Sequence, residues 1–199
     1  METSPTPSRP LRADAARNRR ALLDAAFTAF HEGGVTASLD DIAKAAGVGA
    51  GTLYRHFPCR DDLVLAVIDD RLLALAERGE QMVDDADPVA AFTDWLDAFA
   101  TQAGLFDGLA RTLVNPEAGD DTTCKRNRRA GAALLDRAVA AGQLRADVSS
   151  ADLLDVAMAI AWLGDQGRDA AQRSRLLALV LDGMRRVPSG SCPGSSPPA

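Results

Sequence analysis

Apolar residues recur at intervals of three and four positions along most of this 199-residue chain, which is the period of an α-helix. The first such segment places Leu22, Ala26 and Phe30 on one face, and Gly33 and Gly34 then end it. No segment shows the alternation of apolar and polar residues that is typical of a strand. The pattern therefore predicts an all-α protein.

Residues 38–58 predict a short helix, a tight turn, a second short helix and a stop. Ser38 and Asp41 have the spacing of a capping box that opens the first helix. The apolar stripe of this helix consists of Leu39, Ile42, Ala43 and Ala46. Gly47 ends it, and residues 49–52 carry so little bulk that the next helix can enter a DNA major groove. This spacing is that of a helix-turn-helix.

The rest of the chain predicts more helices of the same period. A long fourth helix carries Leu63, Val67, Leu72 and Leu75 near one face. Further helices are predicted at 89–104, at 105–114, at 124–141, after a capping box at 149–152, and at 176–184, about nine in all.

These elements predict two domains between two tails. Residues 1–12 and 188–199 are rich in Pro, Ser, Thr or Gly and are predicted to be disordered. Residues 13–58 form the predicted helix-turn-helix domain, and residues 59–187 form a second helical domain.

The run G-V-G-A-G-T-L-Y-R-H-F-P at 47–58, with S-L-D-D-I-A and the helix RRALLDAAFTAFHEGG before it, resembles the DNA-binding domain of TetR-type transcriptional regulators. The resemblance covers residues 17–65. Gly49 departs from it where the family usually has Ser or Thr, and Cys59 departs where the family tends to have Ser or Asn. A second segment, LLDRAVAAGQLRADVSSADLL, resembles the carboxyl domain of the SbtR-like group.

The helix-turn-helix supplies the predicted DNA contacts. Tyr54 matches a tyrosine that hydrogen-bonds a phosphate in this family, and Thr52 is expected either to contact DNA or to pack in the helix. Lys44 and Arg55 are expected to contact phosphates or base edges. His56 either donates to a phosphate or is a partly buried structural residue. The full predicted set is Arg17, Ser38, Lys44, Gly49, Ala50, Gly51, Thr52, Tyr54, Arg55, His56 and Arg60.

The net charge of -6 is divided unevenly along the chain. Residues 1–60 hold 8 Lys or Arg against 6 Asp or Glu, whereas residues 61–199 hold 14 against 22. Basic side chains neutralise phosphates and make affinity fall with salt. The asymmetry favours a basic DNA-binding part on an acidic body.

Other classes of function find little support in the composition. The two histidines, His31 and His56, both lie in the predicted DNA-binding domain, so no Ser-His-Asp, Cys-His or His-rich metal arrangement can form in the carboxyl domain. No enzyme, metal site or cofactor is therefore predicted. Three widely spaced cysteines fit a reducing compartment. With no signal peptide and no apolar run of about 20 residues, the protein is expected in the cytoplasm, without a membrane partner.

One recognition helix reads only a few base pairs, so we expect a symmetric homodimer on double-stranded DNA with an inverted-repeat operator. Its interface is predicted on the last two helices, at Leu153, Ala157, Ile160, Ala161, Gly164, Leu177, Val180, Leu181 and Met184. Met158 and Trp162 are expected to serve either the core or the dimer.

The resembling family senses small molecules in the carboxyl domain, which implies an unidentified effector for this chain. Phe92, Trp95 and Phe99 recur on one helix face with Phe106 nearby, and they either line the effector pocket or pack in the core. The resemblance implies a repressor that leaves its operator when a ligand shifts the fourth helix. One alternative is an effector-independent regulator whose carboxyl domain only dimerises. Another is a helical enzyme or binding module with a degenerate DNA motif.

Overall fold

The structure of the protein, a computed structural model, describes residues 9–113, 122–165 and 170–186, with the side chains of 13–103, 123–162 and 171–186. In these residues the chain forms eight α-helices and no strand, which confirms the all-α prediction. The helices are α1 (Arg9–Gly33), α2 (Leu39–Ala45), α3 (Ala50–His56), α4 (Arg60–Met82), α5 (Pro88–Leu113), α6 (Thr122–Ala140), α7 (Ser150–Asp165) and α8 (Ala170–Met184).

Two predicted boundaries are wrong. The helices expected at 89–104 and 105–114 are one helix, because α5 runs unbroken to Leu113, and the described residues hold eight helices rather than nine. A glycine such as Gly104 costs a helix only about 1 kcal/mol relative to alanine, which tertiary packing easily offsets. Residues 9–12, assigned to the tail, open α1, and Pro10 is tolerated there because the first turn needs no N–H donor. The tail predicted at 188–199 lies outside the described residues.

Helices α1, α2 and α3 pack with the first half of α4 around one core, and we call this unit the head. The buried residues of its core are Leu22, Leu23, Ala26, Phe30, Ile42, Ala43, Leu53, Phe57, Leu63, Val64 and Val67. The first turns of α4, which the sequence assigned to the second domain, therefore complete the core of the head.

The second half of α4 packs with α5, α6, α7 and α8 in a unit that we call the body, and Trp95 lies at its centre. The indole is 0% exposed and donates from Nε1 to the carbonyl of Leu75 at 3.2 Å. A Cβ at Gly79 of α4 would lie 2.7 Å from Nε1, and one at Gly131 of α6 would lie 2.6 Å from the far edge of the ring. Both helices approach Trp95 this closely because these two residues have no side chain.

Polar contacts hold α4 to α1 on one side. Arg20 donates to Asp24 and Asp70 at 3.1 Å each, and Arg71 donates to Asp24 at 2.8 Å. The guanidinium of Arg71 also lies 4.0 Å from the centre of the Phe27 ring, a cation–π geometry. A rotation of the head about α4 would break these contacts together.

Contacts on the other side of α4 attach it to α6. Arg126 donates to both carboxylate oxygens of Glu80 at 2.6 Å, and this hydrogen-bonded pair lowers the pKa of Glu80. The buried side chain of Asn127 donates to the carbonyl of Leu72 at 2.7 Å. The same connector helix is thus attached to the head and to α6.

The loop between α6 and α7 is anchored to the end of α8. The N–H of Arg145 donates to Met184 at 2.9 Å, and that of Arg186 donates to Gln143 at 3.1 Å. Ser149 and Asp152 exchange backbone-to-side-chain hydrogen bonds of 3.0 and 3.2 Å, which confirms the second capping box. Among the helices described, none is both long and apolar enough to span a membrane.

Candidate functional site

The turn between α2 and α3 is built by the signals that predicted it. Ser38 caps α2 by accepting the N–H of Asp41 at 3.3 Å. Gly47 has φ +69°, a left-handed conformation that glycine adopts without strain, and it turns the chain after α2. The N–H of Val48 then donates to Ala43 at 3.0 Å, and the partly buried Val48 packs on the head core. These contacts fix the angle at which α3 leaves α2.

Helix α3 turns one face inward and the other outward. Leu53 and the residue after the helix, Phe57, lie in the head core. Ala50, Gly51 and Tyr54 are exposed, with Tyr54 48% accessible. A Cβ added at Gly49 or Gly51 would meet no atom within 4 Å, so the start of α3 presents bare backbone to its surroundings. An outward face with so little bulk fits closely into a major groove.

The polar groups of this outward face are few. Arg55 is exposed and donates from Nη2 to the hydroxyl of Thr52, one turn earlier, at 2.9 Å. Lys44 is exposed in the last turn of α2. With the phenol of Tyr54, these groups offer two cations and two hydroxyls to phosphates or base edges.

Other residues of the predicted DNA set are placed differently. The His56 ring is half-buried, with its centre 6.2 Å from that of Phe57. Arg17 is exposed but is paired with Asp14. Arg19, absent from the predicted set, lies 5.6 Å over the Phe57 ring. Its position after Arg17 on α1 carries no local signal that would have distinguished it.

Arg60 serves the head itself. Its Nη1 donates to the carbonyls of Val35 and Ala37 at 2.6 Å each, and the side chain is partly buried. It is predicted to contact phosphate, and the structure shows that it also joins the start of α4 to the loop before α2. At Cys59, where the family's polar cap is missing, Asp62 accepts the backbone N–H at 3.3 Å instead.

Replacing Arg60 by alanine is therefore expected to reduce the stability of the folded protein. Two charge-assisted hydrogen bonds would be lost, which we expect to lower the free energy of unfolding by about 1.5 to 3 kcal/mol. Urea denaturation followed by circular dichroism measures this. Unchanged stability with weakened DNA binding would instead assign Arg60 to a phosphate contact.

The aromatic residues predicted near a ligand lie in or against the body core. Phe92 and Trp95 are buried there, and Phe99 stacks on Trp95 with ring centres 5.6 Å apart. The side chain of Phe106 lies outside the described residues. A cleft of about 420 Å³ opens elsewhere in the body, and these aromatic rings do not line it. Its lining residues are Arg78, Thr93, Asp94, Asp97, Ala98, Ser174, Leu177, Ala178 and Leu181.

The predicted dimer residues face into the body rather than outward. Those with described side chains are buried or partly buried in its core: Leu153, Ala157, Ile160, Ala161, Leu177, Val180, Leu181 and Met184. Gly164 lies outside the residues whose surroundings are described. The large apolar side chains that are exposed in the described parts of α7 and α8 are Val156, Met158, Trp162 and Leu179, and we call this set the outer face. Because α7 is apolar on both sides, its period alone cannot say which side is buried.

Comparison with known proteins agrees with this architecture. Residues 22–67 match the family of bacterial regulatory proteins called tetR, and residues 87–186 match the SbtR-like C-terminal domain of transcriptional regulators. The TetR transcriptional regulator SCO0520 from Streptomyces coelicolor is 36% identical, with a TM-score of 0.72 over 84% of this chain and 98% of its own. A TetR regulatory protein from Mycobacterium vanbaalenii is 31% identical, with a TM-score of 0.70 over 89% and 100%.

A curated relative matches the N-terminal part. The HTH-type transcriptional regulator SAB2452 of Staphylococcus aureus is 41% identical over 76 residues, which are 38% of this chain and 41% of that protein. Together with the two domain matches and the solved structures, this similarity confirms the resemblance seen in the motif. The chain belongs to the TetR family of transcriptional regulators, with an SbtR-like domain behind its helix-turn-helix.

Proposed function

We propose that this DNA-binding regulator is a homodimeric repressor that acts in the cytoplasm, binds an inverted-repeat operator and leaves it when a small molecule binds the body. The observation that carries the proposal is the path of α4. Its first half completes the head core, and its second half packs in the body and contributes Arg78 to the cleft. One rigid helix thus belongs to both the DNA-reading unit and the cavity.

The DNA contacts in this proposal come from the outward face of α2 and α3. Tyr54 and Lys44 bind phosphates, and Arg55 binds a phosphate or a guanine edge while Thr52 orients its guanidinium. Ala50 and Gly51 let the backbone of α3 approach the bases. Ser38 and Gly49 contribute backbone geometry at the starts of α2 and α3.

The second copy in this proposal packs on the outer face. Large apolar side chains are exposed on both of these adjacent helices, which is typical of an interface, and Leu179 is 68% accessible. Outer faces of α7 and α8 from two copies would form a four-helix interface and place two heads on one side of the DNA. Two heads are needed because one α3 reads only a few base pairs.

Release by a ligand follows from the coupling through α4. A ligand that binds better to a body with α4 displaced would favour a different spacing of the heads, and coupling energies of about 1 to 3 kcal/mol are typical. FadR from Bacillus subtilis, which is 19% identical and shares only the fold (TM-score 0.55), is described in complex with stearoyl-CoA. In that regulator, this fold binds a small molecule.

The alternative is a regulator without an effector, whose body only dimerises. The tight packing of Gly79 and Gly131 against Trp95 favours it, because these two contacts leave no space for even a methyl group beside the indole ring. A thermal-shift screen of chemically varied compounds distinguishes the two. A compound that raises the melting temperature and weakens operator binding supports the repressor, and a screen without such compounds supports the alternative.

The DNA-binding surface is tested after an operator has been selected from random and genomic fragments at about 150 mM salt, where nonspecific phosphate binding is weak. Arg55→Ala is expected to weaken operator binding by about 10²- to 10⁴-fold, since each of two heads loses a charged contact worth about 1.5 to 3 kcal/mol. Tyr54→Phe should act in the same direction by a smaller factor. Fluorescence anisotropy with labelled operator measures both.

Arg128→Ala provides the matched control, because Arg128 is an exposed arginine on α6 of the body. We expect its operator affinity to equal that of the unmodified protein. If Arg55→Ala and Tyr54→Phe bind the operator normally while remaining folded, the assignment of α3 as the reading helix is wrong.

A further inference from the structure

The cleft in the body lies between the three helices α4, α5 and α8. Arg78 comes from the connector α4, residues 93–98 from α5, and residues 174–181 from α8, which also carries Leu179 of the outer face. Its volume of about 420 Å³ is in the range of small-ligand sites.

Apart from the guanidinium of Arg78, the polar side chains in the walls offer mainly hydrogen-bond acceptors. Thr93 already donates its hydroxyl hydrogen to the carbonyl of Val89 at 2.7 Å, and the hydroxyl of Ser174 lies 3.5 Å from an oxygen of Asp97. Asp94 and Asp97 lie one turn apart on α5 as carboxylates, and neither forms an ion pair in the described part of the chain. An occupant that lies against α5 must therefore bring the donors itself.

The charge of the lining also favours an occupant that carries hydrogen-bond donors and a positive charge. Arg78 is the one cation among the residues that line the cleft, against two carboxylates. Asp97 is half-buried, so water screens it less than a fully exposed carboxylate, and a cation beside it would be held more strongly. An anionic ligand would meet net repulsion at this wall.

The rest of the cleft is apolar. Leu177 and Leu181 are almost fully buried and form its floor together with Ala98 and Ala178. A hydrocarbon or aromatic group placed on these side chains would lose contact with water, which is favourable. The walls thus combine a cation-accepting side with an apolar side.

We propose that this cleft binds an organic cation, an amine or amidine attached to a compact apolar group. The charged nitrogen lies between Asp94 and Asp97, with the hydroxyl oxygens of Thr93 and Ser174 as further acceptors. The apolar group lies on Leu177 and Leu181. The proposal names the chemical class of the effector and to that extent rests on the proposed function, but binding and DNA release are measured separately.

Isothermal titration calorimetry with three probes of equal chain length tests the site on the full-length protein at pH 7. Hexylamine carries a positive charge, hexanoate carries a negative charge, and hexanol carries none. Hexylamine is expected to bind at least about tenfold more tightly than hexanol, with hexanoate weakest, at millimolar dissociation constants appropriate to so small a ligand. Equal binding of the three probes, or tighter binding of hexanoate, overturns the proposal.

Variants locate the binding in the cleft. Asp97→Asn, which keeps the shape of the side chain, is expected to remove the preference for hexylamine over hexanol, and Asp94→Asn to reduce it. Asp155→Asn, at an exposed carboxylate on α7 outside the cleft, is expected to leave it unchanged. Arg78→Met should bind hexylamine at least as tightly as the unmodified protein, and a loss there would overturn the assignment by showing that the arginine holds the ligand.

The operator assay then separates this site from the proposed function. If hexylamine binds through Asp97 and the operator complex is unaffected, the cation site stands and release by its ligand is refuted. If hexylamine shows no preference over the other probes in folded protein, the cation site is refuted, whatever other compounds do to operator binding.

Discussion

Replacing Leu179 by aspartate is expected to convert the protein from a dimer to a monomer and to weaken operator binding by about 10²- to 10⁴-fold. Leu179 is the most exposed large apolar side chain in the described residues. A carboxylate there would have to be desolvated in the interface, which costs far more than the lost apolar contact. Analytical ultracentrifugation measures the change in mass, and fluorescence anisotropy measures the affinity.

Leu65→Asp is the matched control, since Leu65 is a leucine of α4 that is 43% exposed and lies away from the outer face. This variant should remain a dimer. If Leu179→Asp also remains a dimer at micromolar concentration, the outer face is not the interface. Trp162, on the same face and 42% exposed, gives a second signal, because dimer formation should shift its fluorescence to shorter wavelength.

Gly131→Ala is expected to give the largest loss of stability from a single methyl group. The new Cβ would lie 2.6 Å from two carbon atoms of the Trp95 ring, a distance that real Cβ atoms do not show. The ring cannot move away easily, because it is fully buried and Gly79 lies against its other edge. Overpacking of this kind costs about 1 to 3 kcal/mol or more, which exceeds the gain of up to about 1 kcal/mol in helix propensity.

Gly51→Ala is the control that measures the effect of helix propensity alone, because a Cβ at this helical position meets no atom within 4 Å. We expect it to leave the free energy of unfolding unchanged or to raise it by at most about 1 kcal/mol. Urea denaturation of the two variants side by side measures the difference. Equal stability of Gly131→Ala and the unmodified protein would contradict this prediction, because it would mean that the packing around Trp95 can make room for the added methyl group.

The second of these predictions concerns α6, a helix that is linked to α4. The connector contacts α1 through Arg20, Asp24 and Arg71, and it contacts α6 through Arg126 and Asn127. A displacement of its second half would therefore be passed to the head rather than absorbed in the body. This linkage is the physical basis on which we propose regulation by a ligand in the body.

The head shows how much local signals determine. The cap at Ser38, the end of α2 at Gly47 and the apolar stripe of α2 each depend on a few neighbouring residues, and all appear in the structure as predicted. The family resemblance came from the same short segment. The hydrogen bonds of Arg60 could not be foreseen, because the carbonyls of Val35 and Ala37 lie more than twenty residues away along the chain.

In the body, local sequence signals determine the helices but not which of their faces are buried. The sequence by itself determined that α7 and α8 are helices, where α7 begins, and that both are rich in apolar residues, because capping and helical period depend on neighbouring positions. Only the tertiary structure decided that Leu153 and Leu177 turn inward while Met158 and Leu179 turn outward, and that Trp95 is sealed between Gly79 and Gly131. The side of a helix that is buried depends on which distant helices pack against it, and that information is not contained in the period of the helix itself.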